Sequence, residues 1–328
     1  MSRIVVTGGA GFLGSSLCER LLAEGHRVVA IDDFSRGTSA NLSEAIKNGN
    51  FEFIEGNACD PTPYLAALER LEAVDTVYHM AAINGTKLFH EQARRVIDIN
   101  INATLMSLQM AESWDARYVL ASSPEALGIT EEMPLSHTSF SRFPPASLHQ
   151  RFAYGASKYL DEVMVHHAVG QGMDARIVRP FNGYGPRLIG TDEGQVVAMM
   201  FNAVLNSESI KVHGDGQQTR SFTHVDDLVD GFVRAGTLDE SHATGEPLAG
   251  LTFNLATDEE ITILDLAQHV NEIVGSLAVE LTLGGGYNGD SRRRSGDTSP
   301  AVTHLGWSPS VTIDEGLRCV WKALRSQP

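Results

Sequence analysis

The stretch Thr7-Gly8-Gly9-Ala10-Gly11-Phe12-Leu13-Gly14 directly follows the apolar run Ile4–Val6 and opens a predicted helix that ends at Glu24. Glycine at this spacing permits a tight turn, lets the backbone approach a pyrophosphate, and lets the helix pack closely against the strand. The N-terminus of the helix then offers free N–H groups and a partial positive charge to the phosphates. The order strand, glycine loop, helix predicts a dinucleotide site rather than a plain tight turn. The expected phosphate-contacting residues are Gly8, Gly11, Phe12, Leu13 and Gly14.

Short apolar runs alternate with helical stretches through the first half of the chain. The predicted strands are Ile4–Thr7, Arg27–Asp32, Phe51–Glu55, Thr76–His79, Tyr118–Ser122 and Ala175–Arg179. The predicted helices between them are Phe12–Glu24, Pro61–Leu71, Val96–Ser113 and Tyr154–Val169. The strands lack strict polar alternation, which is typical of strands buried on both faces. This order predicts an α/β fold, a Rossmann-type doubly wound parallel sheet.

Asp32 ends the second predicted strand of this sheet. A carboxylate at that place accepts hydrogen bonds from the ribose hydroxyls of adenosine and repels a 2′-phosphate. Asp33 can share this role, and a turn or helix cap is the structural alternative. Arg36 could in principle meet a 2′-phosphate, but the two carboxylates favour NAD over NADP as the cofactor.

After about Pro180 the alternation loosens, and Gly, Pro and polar turns become more frequent. Val225–Ala235 still predicts a helix and Leu251–Leu255 a strand. We therefore predict an NAD-binding domain formed by residues 1–182 plus about 225–257. Residues 183–224 and 258–328 would form a smaller C-terminal substrate-binding lobe. The irregular stretch Ser136–Gln150 predicts a lid or a wall of the site, because such long loops often have that role.

Tyr154 and Lys158 are spaced i, i+4 in a predicted helix, so their side chains share one face. A lysine ammonium beside a phenol lowers the tyrosine pKa, and Tyr154 could then act as a general base near neutral pH. Ser122 and Ser123 end a predicted strand at the carboxyl edge of the sheet, where ligands bind in open α/β folds. Ser123 could pass a proton between a substrate and Tyr154; satisfying backbone groups at the strand end is the alternative.

Taken together, these residues resemble the extended short-chain dehydrogenase/reductase family, in its nucleotide-sugar epimerase, dehydratase and decarboxylase branch. The resemblance covers nearly the whole chain. Besides the glycine loop, Asp32, Ser122-Ser123 and Tyr154-x-x-x-Lys158, it is carried by Gly56-Asn57-Ala58-Cys59-Asp60, His79-Met80-Ala81-Ala82, Asn100, Arg179–Arg187, Gly214-Asp215-Gly216, Arg220–Asp227 and Leu305–Pro309.

The resemblance implies further residues of the cofactor site. Asn57 and Ala58 would flank the adenine, although the family usually has aspartate where Asn57 stands. Ala81 and Ala82 would pass beside the nicotinamide ribose. Asn100 would be a buried polar residue that supports this site, and a purely structural role is its alternative.

The resemblance also implies a nucleotide-diphosphate sugar as substrate, with a UDP-sugar as the first expectation. The pyrophosphate of such a substrate needs cationic or amide donors. Asn182 and Arg220 match family positions that contact it, while Asn84 and Thr86 would lie beside the sugar. In the family, an arginine two residues before a Pro-Asp pair clamps the pyrophosphate. Gly296-Asp297 replaces that pair here and points to Arg294, with a solvated charge run at Arg292–Arg294 as the alternative.

The three reactions of this branch begin alike, because Tyr154 takes the C4 hydroxyl proton and hydride passes to NAD. Dehydratases place Thr-Asp-Glu where this chain has Ser123-Pro124-Glu125, and Pro124 cannot protonate a leaving hydroxyl. Glu125 matches the glutamate that dehydratases and decarboxylases retain, and Gln218–Phe222 resembles uronic acid decarboxylases. The residues around the tyrosine differ from those usual in decarboxylases, and Ala126-Leu127-Gly128 replaces the family's usual Val-Tyr-Gly. Glu125 would then bind a sugar hydroxyl or act as an acid/base.

Asn84-Gly85-Thr86 is small and polar, which could leave room for a keto sugar to turn over. We therefore predict a nucleotide-sugar C4 epimerase. The alternatives are a UDP-uronic acid decarboxylase, a 4,6-dehydratase and, in another class, a non-catalytic NAD-binding sensor or scaffold.

Composition narrows the partners and the setting. The 328 residues carry a formal charge of −16, which disfavours nucleic acid and anionic membranes as partners. Three cysteines predict no disulfide framework, and we expect no metal site. The early first strand and the lack of an apolar run near the ~20 residues of a membrane helix predict a soluble cytoplasmic protein. The resemblance further implies a homodimer through Val96–Ser113 and Tyr154–Val169, unless those faces are internal core.

Overall fold

The computed structural model describes residues 1–130, 132–148, 150–188, 195–285 and 291–326. In chain order, the strands are β1 Arg3–Thr7, β2 Arg27–Asp32, β3 Phe51–Glu55, β4 Thr76–His79, β5 Arg117–Ala121, β6 Ala175–Pro180, β7 Ile210–Val212, β8 Thr219–Ser221, β9 Thr252–Leu255, β10 Glu260–Thr262, β11 Leu281–Leu283 and β12 Arg293–Arg294. The α-helices are α1 Phe12–Ala23, α2 Pro61–Leu71, α3 Thr86–Glu91, α4 Ala93–Ser113, α5 Ala153–Gly170, α6 Val196–Leu205, α7 Val225–Thr237, α8 Ile263–Val274 and α9 Ile313–Arg325.

A parallel sheet of seven strands forms the centre, in the order β3-β2-β1-β4-β5-β6-β9. Its strands are buried on both faces because successive side chains point to opposite sides. On β1, Val6 packs in a core with residues of α1 and α7, while Val5 packs in a second core with residues of α2, α4 and α5. Helices therefore cover both faces, and the predicted α/β fold of the Rossmann type is confirmed.

A third core lies in the C-terminal part of the chain. It joins α6, α8 and α9 with the small sheets β10-β8-β12 and β11-β7. β9 pairs with β6 of the central sheet, and α7 packs against α1. These contacts agree with assigning residues 225–257 to the first domain, although the domain boundaries themselves stay a prediction.

Some predicted boundaries were wrong. β5 begins and ends one residue earlier than predicted, and α4 begins at Ala93 rather than Val96. The prediction missed α3 and the helices of the C-terminal lobe, although α9 begins with a capping box in which Thr312 and Glu315 bond each other's backbone. That pattern is visible in the sequence and marks a helix start. Among the described helices, none combines the length and apolarity needed to cross a membrane.

Candidate active site

The glycine loop between β1 and α1 forms a cradle lined by backbone. Gly8 has a φ of +67°, and a Cβ on it would lie 2.7 Å from the Ala81 backbone nitrogen. A Cβ on Gly14 would collide with the Gly8 carbonyl oxygen. Gly11 precedes α1 without a side-chain cap, so the first-turn N–H groups lack intrahelical acceptors. This cradle fits the pyrophosphate of a dinucleotide.

Asp32 supports the glycine loop, and its expected contact with the ribose stays a prediction. Its carboxylate accepts hydrogen bonds from the backbone N–H of Ala10, at 2.9 Å, and of Phe34, at 2.8 Å. Burial raises the pKa of Asp32, and these backbone donors oppose that rise. Asp33 is exposed and accepts a 2.9 Å hydrogen bond from the N–H of Ser35.

The other expected cofactor residues lie after neighbouring strands of the sheet. Asn57 follows β3, is exposed, and accepts a 2.9 Å hydrogen bond from the N–H of Cys59. Ala58 next to it is partly exposed. Ala81 and Ala82 follow β4 and are also partly exposed, with the Ala81 N–H at 3.3 Å from the Thr7 hydroxyl oxygen. Their proposed contacts to adenine and ribose stay predictions.

Asn100 is fully buried and links three segments. Its side-chain oxygen accepts from the Ile83 N–H at 2.8 Å, and its amide donates to the Ile83 carbonyl at 3.3 Å. The same amide donates to the Ser157 hydroxyl at 3.2 Å. Asn100 therefore fixes the chain after β4 against α4 and α5, in keeping with a supporting role.

Tyr154 lies in the first turn of α5 and is almost buried. Its ring stacks on Phe89 with centroids 4.7 Å apart and planes 10° from parallel. Burial raises the pKa of Tyr154, while the neighbouring Ser123 hydroxyl lowers it. Lys158 lies one turn further along, and its Nζ is 3.1 Å from a carboxylate oxygen of Asp161. The sequence predicted that Lys158 lowers the pKa of the phenol; burial, which the sequence does not show, acts in the opposite direction.

Ser122 and Ser123 both follow β5, but their hydroxyl groups form hydrogen bonds with different partners. Ser123 precedes a short helical turn, and its hydroxyl oxygen accepts a 3.2 Å hydrogen bond from the Glu125 N–H. Ser122 donates to Glu162 at 2.5 Å. Arg179 donates two hydrogen bonds to the same carboxylate, at 2.7 and 2.6 Å. Ser122, Glu162 and Arg179 therefore tie β5, α5 and β6 together, and Ser123 is the serine beside Tyr154.

Glu125 is surrounded by three arginines from distant parts of the chain. Arg294 donates to one carboxylate oxygen at 2.6 Å, and Arg151 approaches the other at 3.4 Å. Burial opposes ionisation of Glu125, but Arg294, Arg151 and Arg220 together hold its pKa below the usual value. All three arginines are less than 10% exposed. We name Glu125, Arg151, Arg220 and Arg294 the Glu125 cluster.

The three arginines of the run Arg292–Arg294 differ in exposure and in the groups they contact. Arg292 is exposed with Asp215 at 3.4 Å, and Arg293 is exposed with Glu260 at 2.6 Å. Only Arg294 of the three lines the candidate cavity. Arg151 was not predicted from the sequence. It stands three residues before Tyr154, but nothing in that spacing indicates that its side chain turns toward Glu125.

One cavity of about 720 Å³ joins these parts. Its lining includes Phe12, Leu13, Asn84, Ser123, Glu125, Arg151, Tyr154, Asn182, Arg220 and Arg294. Asn182 donates a 2.7 Å hydrogen bond to the Ser221 carbonyl. Thr86 begins α3, and its side chain lies outside what the structure describes.

The stretch Ser136–Gln150 differs from its prediction as a lid or wall. Its described residues do not line the cavity. Phe143 packs instead near the rings of Phe152 and Tyr159, with centroids 6.1 and 6.4 Å apart. Among the described residues, no group of three or more His, Cys, Asp or Glu side chains is arranged to hold a metal ion.

Sequence comparison extends the resemblance to characterised relatives. The chain is 34% identical to UDP-glucuronic acid decarboxylase 1 of Arabidopsis thaliana over 316 residues, which cover 96% of this chain and 68% of the relative. It is 33% identical to UDP-glucuronic acid decarboxylase 1 of Xenopus tropicalis over 316 residues, covering 96% and 70%.

Solved structures give the same fold over nearly the full length. UDP-glucose 4-epimerase of Thermotoga maritima, solved with UDP-glucose, has a TM-score of 0.86 and 26% identity, with 98% of each chain covered. UDP-glucuronic acid 4-epimerase of Bacillus cereus, solved with UDP-glucuronic acid and NAD, has a TM-score of 0.85 and 26% identity, again with 98% of each chain covered.

The family description "NAD dependent epimerase/dehydratase family" matches residues 4–256. This match includes the glycine loop, Ser123, Tyr154 and Lys158, so it covers the segments on which the predictions of family and cofactor depended. Both predictions are confirmed: the chain belongs to the NAD dependent epimerase/dehydratase family.

Proposed function

We propose that this chain uses NAD to oxidise C4 of a UDP-linked uronic acid and then releases the sugar carboxylate as carbon dioxide. The observation that carries this proposal is the Glu125 cluster, which lines the same cavity as Tyr154. Three guanidinium groups there surround one carboxylate and lower its pKa. A substrate with a pyrophosphate and a sugar carboxylate supplies the anions that such a site favours.

The chemistry needs few groups from the protein. Tyr154 accepts the C4 hydroxyl proton, with Ser123 beside it to relay that proton. NAD held by the glycine loop and Asp32 would supply the hydride acceptor for C4 and, in its reduced form, the hydride donor for the last step. The resulting 4-keto sugar has its carboxylate β to the ketone, so the C5–C6 bond can break with its electron pair delocalised onto the C4 oxygen. A proton then adds at C5, carbon dioxide leaves, and the C4 ketone is reduced.

The relatives support this substrate class. The curated relatives described above are named UDP-glucuronic acid decarboxylases, and one solved neighbour is named a UDP-glucuronic acid 4-epimerase. Decarboxylation and C4 epimerisation of UDP-glucuronic acid both begin with oxidation at C4, so a shared first step fits one site. Dehydration is disfavoured because Pro124 is buried after β5 and offers no acid to a leaving hydroxyl.

C4 epimerisation, which the sequence favoured, is the second candidate. It requires the keto sugar to turn within the site before it is reduced on its other face. The cavity of about 720 Å³ and its small lining residues Asn84 and Gly85 favour this reaction. Decarboxylation is preferred here because the Glu125 cluster suits an anionic sugar and the curated relatives described above are named UDP-glucuronic acid decarboxylases.

We also propose a homodimer formed through α4 and α5. These helices pack against each other and expose large apolar side chains on their outer surface: Ile97, Leu105, Tyr159, Leu160 and Val163. A second copy would bury this surface. Light scattering on the purified protein should give twice the chain mass, and a monomer mass would contradict the dimer.

The deciding experiment uses the NAD-loaded protein with UDP-glucuronic acid, UDP-glucose and UDP-N-acetylglucosamine. We expect carbon dioxide and a UDP-pentose from UDP-glucuronic acid, and no reaction with the uncharged sugars. A product that keeps its carboxylate but is inverted at C4 would favour the epimerase.

A control variant and a further outcome complete this experiment. Tyr154→Phe should lower turnover about 10²- to 10⁴-fold while NAD still binds, because it removes the general base. NAD binding without turnover of any sugar would contradict an enzyme and favour a sensor.

A further inference from the structure

A lysine and an aspartate on α5 form an ion pair that is closed off from solvent. Lys158 Nζ lies 3.1 Å from Asp161 Oδ2, and the two side chains are 1% and 0% exposed. The Lys158 ammonium and the Thr104 hydroxyl are the groups that stabilise the ionised form of Asp161. A buried carboxylate is costly to desolvate even when it is paired, so the position of Asp161 beside Lys158 calls for a functional explanation.

The neighbouring rings of His79 and Tyr118 carry no positive charge, so Lys158 is the cation that Asp161 faces. On β4, burial and the Lys158 charge lower the pKa of His79 well below its usual value, and its ring lies between the Thr7 and Thr104 hydroxyls. On β5, burial raises the pKa of Tyr118 well above its usual value. Both rings are therefore uncharged near neutral pH.

The other charged groups of the site are the carboxylates of Glu125, Asp161 and Glu162 and the three arginines of the Glu125 cluster. Glu162 follows Asp161 on α5 but forms its ion pair with Arg179, at 2.6 Å. Burial is the main reason that the pKa of Tyr154 is raised, and the carboxylates of Glu125 and Asp161 add to that rise. Burial also raises the pKa of Asp161, and the Lys158 ammonium opposes it.

We propose that Asp161 is a positioning residue of this active site, which holds the Lys158 ammonium one turn from Tyr154 and offsets its charge. The proposal rests on the proposed role of Tyr154 as the base. A lone ammonium beside a phenol favours the phenolate. Two opposite charges 3.1 Å apart act on a third group more weakly than either charge alone, because their Coulomb energies have opposite signs. Asp161 thus keeps the phenol protonated to a higher pH than an unpaired lysine would allow.

The test is the titration of Tyr154 in the NAD-loaded protein without sugar. NMR of protein carrying tyrosine labelled at its hydroxyl-bearing carbon reports the phenol, and Tyr154→Phe assigns the signal. In Asp161→Asn the pKa of Tyr154 should fall by about one unit or more, because a nearby negative charge is lost. The acid limb of the turnover profile with UDP-glucuronic acid should move to lower pH by the same amount.

Glu162→Gln is the matched control. It removes an equally buried carboxylate from the next position of α5, but one that pairs with Arg179 rather than Lys158. If Asp161 had a purely structural role, Asp161→Asn and Glu162→Gln would both change the stability of the protein, and the pKa of Tyr154 would stay unchanged in both. An unchanged titration in Asp161→Asn, or an equal shift in Glu162→Gln, would overturn the proposal.

A double variant covers the case in which Asp161→Asn does not fold. Lys158→Gln/Asp161→Asn removes both buried charges, so the pKa of Tyr154 should stay within about half a unit of wild type if the two charges offset each other. A rise of about one unit or more would contradict the offset. Because the titration is read without sugar, absence of turnover on every nucleotide sugar would refute the proposed function and leave this result standing.

Discussion

The glycine loop and the Glu125 cluster contribute to one cavity but are built in different ways. The loop is a continuous run, Gly8–Gly14, whose shape depends on backbone contacts within the run and with neighbouring strand ends. The Glu125 cluster joins side chains that stand up to 169 residues apart, as between Glu125 and Arg294. The first site offers backbone N–H groups to its proposed ligand, and the second offers charges brought together by the fold.

This difference affects how each site tolerates change. A backbone cradle fails when a side chain fills it, and no other residue can replace the lost space. A cluster of three cations around one carboxylate still retains two cations after one is removed. A single change in the loop should therefore cause a large loss of NAD affinity. A single change in the cluster should reduce the affinity for the sugar nucleotide only partly.

Gly14→Ala should break the loop and leave the cluster intact. The added Cβ would collide with the Gly8 carbonyl oxygen, and strain of about 2–3 kcal/mol corresponds to roughly a hundredfold loss of NAD affinity if the loop shifts to relieve it. Calorimetric titration with NAD measures this loss.

Gly170→Ala is the matched control for this change. Gly170 ends α5, and a Cβ there would meet no atom within 4 Å. Its NAD affinity should equal that of the wild type. If both variants bound NAD equally well, the close approach of Gly14 to Gly8 would not be needed for the cofactor site.

Arg294→Ala should weaken the cluster and leave the loop intact. A hydrogen bond from a charged donor contributes ~1.5–3 kcal/mol. Its loss predicts at least about tenfold weaker binding of UDP-glucuronic acid. The pKa of Glu125 should rise toward its usual value, because Arg294 contributes to lowering it. Arg293→Ala is the control, since its side chain is exposed and pairs with Glu260. Equal sugar-nucleotide affinities in the two variants would assign the clamp to another residue.

Asp32→Asn should have the smallest effect of these changes. It tests how much the negative charge of Asp32 contributes to cofactor binding at the loop. The amide oxygen can still accept from the Ala10 N–H, so the glycine loop should keep its shape, while the Phe34 N–H outside the loop loses its acceptor. A hydrogen bond to a charged acceptor becomes one to a neutral acceptor, at a cost of about 1 kcal/mol, or roughly fivefold in NAD affinity. Preference for NAD over NADP, measured by competition, should fall in parallel. An unchanged preference would mean that Asp33 or another group excludes the 2′-phosphate.

Much of the fold could be predicted because its signals are local. β-branched runs, the glycine loop and the Tyr154-x-x-x-Lys158 spacing each lie within a few residues, and the structure has them on the strands, turn and helix expected. Boundaries moved by up to three residues, as at α4, because helix ends depend on what they pack against. The C-terminal helices were not predicted because frequent Gly, Pro and polar turns surround them, although Thr312 and Glu315 mark the start of α9.

The sequence by itself determined the doubly wound sheet, the dinucleotide cradle and the candidate base, because short-range backbone geometry and side-chain spacing specify them. Only the tertiary structure decided that Arg151 turns toward Glu125, that Arg294 rather than its two neighbours reaches the cavity, and that Asp161 pairs with Lys158 away from solvent. It also showed that burial raises the pKa of Tyr154. These features depend on burial and on charges distant in sequence, and both arise only when the chain has folded.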